Sequence, residues 1–139
     1  IDAQPKSIQL CHIDAVPDNF LFVTGKDGSE EVKLTDWEYA GMQDPHLDVA
    51  MFIIYAMYDR DSAEKLIDLY FSDGCDKATR LKIYCYIAVS GLVWSNWCEF
   101  KRHCGVEFGA YAQRQYDYAR EYTKIFFKEY REAFGRDYV

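Results

Sequence analysis

The chain has 139 residues and a mass of 16.3 kDa, enough for one domain with a single sizeable core. Half of its residues are hydrophobic and 17% are aromatic, which excludes intrinsic disorder. A net charge of −7 argues against nucleic acid as a partner, because binding phosphates requires clustered Lys and Arg. The five cysteines are odd in number and form no Cys-x-x-Cys pair, which predicts free thiols and a cytoplasmic location.

In chain order, the first structural signal is a hairpin. Short apolar strands at residues 20–23 and 32–34 flank the turn signal at residues 25–28. Asp44 and Pro45 then begin a helix, because Asp caps well and Pro is tolerated in the first turn. Its apolar residues recur at spacings of three and four: Leu47, Ala50, Met51, Ile54 and Met57 or Tyr58.

Three more helices are predicted at residues 62–71, 76–101 and 110–133. The uncharged run at residues 83–98 is too short and too polar to span a bilayer. We therefore expect a buried core helix there and no transmembrane segment. The last helix is expected to turn inward Tyr111, Tyr118, Tyr122, Ile125 and Phe126. The fold class predicted is α+β, mostly α, with a short hairpin and about four helices.

One group of polar residues has the spacing of a catalytic site. Asp14 and Asn19 lie five residues apart in one loop, and Asp36 follows the hairpin. This is the spacing of a catalytic loop in which an acid accepts the proton of a hydroxyl, while amide and carboxylate oxygens hold Mg²⁺ on ATP phosphates. The alternative is that Asp14, Asp18 and Asn19 are turn residues and His12 is structural. The combination of His-x-Asp-x₄-Asn, a hairpin and Asp-Trp-Glu favours the catalytic interpretation.

The segments LCHIDAVPDNFLF and LTDWEYAGMQDPHLDVAMF resemble the phosphotransferase group that contains choline kinases, ethanolamine kinases and aminoglycoside phosphotransferases. The resemblance is strong over about residues 8–60. It implies a protein-kinase-like fold, with Asp14 as catalytic base and His12 supporting its loop. It also implies Asn19 and Asp36 as Mg²⁺ ligands. Asp48 then braces the catalytic loop from a helix.

Glu38 is acidic and near the predicted metal, and it is grouped with Asp48 as a supporting residue. A second segment, WSNW followed by VEFG and YAQ, is similar to the C-terminal region of choline kinases. That likeness implies a substrate pocket walled by Trp94, Trp97, Phe108 and Tyr111. Aromatic faces are the best partners for a quaternary ammonium. The alternative is that rings three apart on a helix only pack into the core.

Two departures from choline kinases bear on the substrate. The resemblance implies an acidic residue near the substrate cation where this chain has Tyr55, and the segment between Gly109 and Tyr111 is shorter than in the eukaryotic enzymes. Ethanolamine or another amino alcohol therefore stays open as the acceptor.

The sequence has no Gly-rich loop or strand lysine before residue 12 to grip ATP. Residues 1–139 are therefore interpreted as a C-terminal catalytic and acceptor-binding lobe without its nucleotide-binding lobe, and little activity is expected from it alone. The leading interpretation is phosphorylation of a small cationic alcohol, choline or a relative. One alternative is an aminoglycoside or other small alcohol as acceptor. The other is a non-catalytic module that binds quaternary ammonium compounds.

Overall fold

A computed structural model describes residues 7–135 and residue 137. The described elements are four strands, β1 (Gln9–Cys11), β2 (Phe20–Thr24), β3 (Glu30–Leu34) and β4 (Gly41–Gln43), and four helices, α1 (His46–Tyr55), α2 (Arg60–Tyr70), α3 (Lys77–His103) and α4 (Ala110–Phe134). The predicted α+β class, mostly helical with a short hairpin, is confirmed.

The strands form two small antiparallel pairs. They hold the chain on either side of residues 12–19, the predicted catalytic loop. β2 and β3 make the predicted hairpin, with Phe20 opposite Leu34. The second pair joins β1 to β4 and was not predicted. Its strands have three residues each, so their local sequence is too short to show an alternating pattern.

Side chains cap the starts of two helices: Asp59 accepts from the backbone N–H of Ser62, and Asp76 accepts from that of Thr79. α3 begins beside the predicted residue 76, whereas α2 begins at Arg60, two residues before the predicted start at residue 62. The expectation that Met57 extends the apolar face of the first helix was wrong, because α1 ends at Tyr55 and Met57 is half exposed in a left-handed conformation (φ 51°).

The hydrophobic core lies between α1, α2, α3 and α4. Along α4 the inner face predicted from the sequence is largely right, although two of its five residues, Tyr111 and Ile125, are only half-buried. The largest core side chains that are fully buried are Tyr84, Tyr118, Tyr122, Ile53, Ile54, Ile67, Ile83 and Ile87.

The prediction that residues 83–98 form a buried helix was wrong for one face of α3. The exposed side chains within residues 83–98 recur at helical spacing and are mainly apolar: Val89, Leu92, Val93, Asn96 and Trp97. None of the helices in the described part of the chain combines the length and the hydropathy needed to cross a bilayer.

A buried ion pair ties the start of α1 to α3. Lys82 Nζ lies 2.7 Å from an Asp44 carboxylate oxygen, and both side chains are only 4% exposed. Burial would raise the pKa of Asp44, but hydrogen bonds from Lys82 and from the His46 backbone, together with the Lys82 charge, lower it below its usual range. Asp44 therefore stays ionised as the partner of Lys82.

α3 and α4 approach each other closely at Gly91. A Cβ atom added at this residue would lie 2.7 Å from the carbonyl oxygen of Gln115 and 2.9 Å from the Cβ of Tyr118. Both positions belong to α4, so the two helices can pack at this distance only because residue 91 has no side chain.

We expect Gly91→Ala to lower the free energy of unfolding by about 1–3 kcal/mol, because an overpacked methyl group must push the helices apart. Urea denaturation followed by circular dichroism measures the change. The matched control is Asn96→Ala on the exposed face of the same helix, where the higher helix propensity of Ala should leave stability unchanged or slightly raised. Equal stability of Gly91→Ala and the wild type would contradict the close packing.

Candidate active site

The catalytic loop is held by the first turn of α1. One carboxylate oxygen of Asp48 accepts from the backbone N–H of His12, and the other accepts from the N–H of Ile13, each at 2.8 Å. One side chain thus fixes two consecutive peptide groups immediately before Asp14. This is the geometry that a bracing aspartate requires, and it places Asp14 relative to the helical core.

His12 joins the same loop to the end of the hairpin. Its ring is 2% exposed, and Nε2 lies 2.7 Å from the carbonyl oxygen of Thr35. The ring also packs edge-on against Trp37, with centroids 4.8 Å apart. Because the imidazole is buried among these groups, it supports the loop and does not face the cavity that Asp14 lines.

Asn19 is oriented by two sets of hydrogen bonds. Its Nδ2 donates to the backbone oxygen of Asp14 at 3.0 Å, and its own backbone oxygen accepts from the N–H and the hydroxyl of Thr35. The amide nitrogen is therefore occupied, which leaves Oδ1 to serve as a ligand. The same contacts bring the end of β3, and with it Asp36, next to the catalytic loop.

Asp36 and Ile13 both adopt left-handed backbone conformations, with φ of 63° and 69°. This region is costly for a residue with a side chain, most of all for a β-branched one, and such strain often accompanies functional sites. Asp36 is exposed. The pKa of Tyr39 is raised first by Glu38, with smaller contributions from Asp14 and Asp36, so these three carboxylates lie within electrostatic reach of one hydroxyl.

The residues present fit a magnesium ion that is completed by its substrate. In the described part of the chain, no group of three or more His, Cys, Asp or Glu side chains forms a metal site by itself. Mg²⁺ bound to ATP usually takes only one or two protein carboxylates, with phosphates and water as its other ligands. Asp36 and the free Oδ1 of Asn19 supply such a partial set.

A cavity of about 400 Å³ opens beside Asp14. The helix α3 contributes two indole rings to its wall, Trp94 and Trp97, which meet edge to face with centroids 5.1 Å apart. The ring of Phe108 packs on Trp97 at 5.2 Å, and that of Tyr111 follows Phe108 at 6.4 Å. The structure thus brings the four predicted aromatic residues together in one continuous row beside the predicted base.

Three further residues line this cavity without having been assigned to it from the sequence: Ile13, Tyr39 and Met51. Tyr55, which the resemblance placed near the substrate cation, also lines it. Met51 and Tyr55 are one turn apart on α1, so the helix that carries Asp48 also forms a wall of the cavity. The sequence pattern assigned Met51 to the apolar face of the helix. Only the tertiary arrangement shows which side of the helix faces Asp14.

A second cavity, of about 330 Å³, lies below the hairpin and is lined mainly by apolar side chains, among them Phe20, Leu34 and Phe52. The polar side chains in its wall are His12, Asp48 and Tyr70. His12 and Asp48 are hydrogen-bonded to backbone groups. The candidate active site is the cavity beside Asp14, because the predicted base and two of the predicted aromatic residues line it together.

An acid on a loop held by a helical aspartate, an adjacent hairpin end with a second acid, and a cavity with aromatic walls fit the arrangement of a kinase-like phosphotransferase site. The comparisons with known proteins agree. A model of the phosphotransferase enzyme family matches residues 1–84. The chain belongs to this family.

Similar proteins include a choline kinase and a member of the choline/ethanolamine kinase family. Protein LicA of Haemophilus influenzae is 30% identical, over 81% of this chain and 42% of LicA. A choline/ethanolamine kinase family protein from Mesorhizobium loti has a TM-score of 0.72 at 27% identity, covering 88% of this chain and 41% of that protein. Choline kinase LicA from Streptococcus pneumoniae has a TM-score of 0.64 at 29% identity, covering 87% and 41%. LicA has also been crystallised with AMP.

The chain spans about two fifths of the length of these relatives.

We expect Asp48→Asn to loosen the catalytic loop, because the amide replaces one acceptor oxygen by a donor that faces a backbone N–H. A buried donor left without an acceptor costs about 1–3 kcal/mol. Hydrogen exchange followed by NMR should show faster exchange at the amides of His12 and Ile13. The control is Asp73→Asn, an exposed acid outside the site. Unchanged protection of both amides would contradict the bracing role.

Proposed function

We propose that this chain is the catalytic and acceptor-binding lobe of a choline kinase-like enzyme, which transfers a phosphoryl group from ATP to the hydroxyl of choline or a related amino alcohol. The observation that carries the proposal is that a single cavity is lined by both Asp14 and the rings of Trp94 and Trp97. A hydroxyl beside Asp14 and a cation against the indoles can then belong to one small molecule.

Asp14 would accept the proton of the acceptor hydroxyl as its oxygen attacks the terminal phosphate. Asp48 and His12 keep the loop of Asp14 in place through the contacts described above. Asn19 Oδ1 and the Asp36 carboxylate would hold Mg²⁺, which neutralises phosphate charge when bound. Glu38, next to this pair, adds negative charge that favours a divalent cation at this end of the site.

The aromatic row would hold the other end of the acceptor. A quaternary ammonium has no N–H to donate, so it gains most from the negative faces of aromatic rings. Trp94 and Trp97 line the cavity, and Phe108 and Tyr111 extend the row. Asp14 is the sole acid among the described residues that line the cavity, which suits a single cationic centre better than an aminoglycoside with several ammonium groups.

The parts that grip ATP would lie in a nucleotide-binding lobe outside residues 1–139, by analogy with relatives more than twice as long. On this proposal the chain alone binds the acceptor but transfers phosphate poorly. Its five free cysteines fit a reducing, cytoplasmic setting.

In a protein that joins this chain to a nucleotide-binding lobe, we expect Asp14→Asn to lower kcat by about 10²–10⁴-fold with little change in KM for choline, because general-base help is lost. Asp36→Ala should also nearly abolish turnover, because a metal ligand is removed. Phosphocholine formation is followed by ³¹P NMR. Asp18→Asn, an exposed acid in the same loop, is the control. Normal turnover in either test variant would refute the role assigned to that residue.

We expect Trp97→Leu to raise the dissociation constant for choline about three- to thirtyfold, because apolar bulk stays while the aromatic face is lost. Calorimetric titration of the 139-residue chain with choline measures the change, and thermal melting verifies the fold. Phe100→Leu is the matched control, since Phe100 is 63% exposed on the same helix and does not line the cavity. Wild-type choline affinity in Trp97→Leu would place the acceptor elsewhere.

A further inference from the structure

A positive charge lies against the aromatic row. Lys101 follows Trp97 by one turn on α3, and its ammonium nitrogen lies 5.4 Å from the centroid of the Trp97 ring. Lys101 is half-buried, and it is not among the residues that line the cavity beside Asp14. The ammonium therefore stands beside this cavity, against a ring that forms part of its wall.

The charge of Lys101 is not neutralised by an ion pair within the described part of the chain. Glu99, two residues earlier on the same helix, pairs with Arg102 at 2.6 Å. The Trp97 ring in turn meets the uncharged ring of Trp94 edge to face, with centroids 5.1 Å apart. The field of the ammonium consequently reaches the two indoles that form the aromatic wall of the cavity.

A second cation on the Trp97 ring is disfavoured for two physical reasons. The negative face of an indole attracts a cation within about 6 Å of its centroid, and Lys101 already uses part of this attraction. Two like charges against one ring, about 10 Å apart, also repel each other, most strongly where protein and not water separates them. A cationic acceptor is therefore bound less tightly than the rings by themselves would bind it, whereas an uncharged molecule of the same shape is unaffected.

We infer that Lys101 is a specificity-determining residue of the acceptor site: its charge lowers the affinity for cations, so the site recognises the shape of a methylated head group as well as its charge. The inference rests on the proposed function. The repulsion grows with the charge of the ligand. Lys101 therefore acts more strongly against an acceptor with several ammonium groups than against one with a single quaternary ammonium.

The test compares the dissociation constants of choline and of the uncharged alcohol in which carbon replaces the choline nitrogen. NMR titration of the 139-residue chain, followed at the indole N–H signals, measures both. Lys101→Met keeps an extended side chain without its charge, so it should tighten choline binding about two- to tenfold and leave the uncharged alcohol unchanged. Raised ionic strength should reduce the difference between variant and wild type, because salt screens charges near the surface.

Two control variants accompany Lys101→Met. Lys101→Arg keeps the charge and should keep the wild-type ratio of the two dissociation constants. Lys124→Met removes a charge from an exposed residue of α4, more than three turns beyond Tyr111, and should also leave the ratio unchanged. An unchanged ratio in Lys101→Met, or an equal change for both ligands, refutes the inference while leaving the acceptor site intact. Failure of the wild type to bind choline refutes the acceptor site itself, and the role of Lys101 with it.

Discussion

The two hydrogen bonds that the Asp48 carboxylate accepts from the backbone amides of His12 and Ile13 are the constraint on which the site depends. They join residues 36 and 35 positions apart in the chain, so the position of the loop that carries Asp14 is set by a helix that packs in the core. The ring of His12 is in turn hydrogen-bonded to the backbone oxygen of Thr35, and the backbone N–H of Thr35 donates to the backbone oxygen of Asn19. Loop, hairpin and helix are therefore positioned as one unit.

The same helix links the two ends of the cavity. α1 supplies Asp48 on the side of the loop, and it supplies Met51 and Tyr55 to the wall that meets Trp94. A shift of α1 would move the loop of Asp14 together with the wall that Met51 and Tyr55 form. The ion pair between Asp44 and Lys82 opposes such a shift, because breaking a buried pair leaves a charge without a partner.

The sequence predicted the elements whose signals are local. The hairpin was marked by the turn signal at residues 25–28, and the start of α3 by Asp76. Pairing of β1 with β4 could not be predicted in this way, because each strand is stabilised only by a partner about thirty residues distant. The left-handed conformation of Ile13 runs against the preference of a β-branched residue, so only the tertiary contacts that impose it could reveal it.

For the site, the motif predicted which residues come together but not what surrounds them. The spacing of Asp14, Asn19 and Asp36 follows from a known chemical task, whereas the place of Met51 in the cavity wall depends on how α1 is rotated against α3. The rotation of α1 about its own axis is set by core packing. A helix that is apolar on several sides has no single hydrophobic face in its sequence, so this rotation could not be predicted.

The close crossing at Gly91 limits how this pocket can acquire a new acceptor. Trp94 lies one turn beyond Gly91 on α3, and Tyr111 lies one turn before Gln115 on α4, so both rings project from helices that are in tight contact one turn away. Selection for a larger acceptor would have to replace these aromatic side chains by smaller ones or change the connection at residues 105–109. An engineering library confined to these positions would sample the accessible changes in substrate range without disturbing the scaffold.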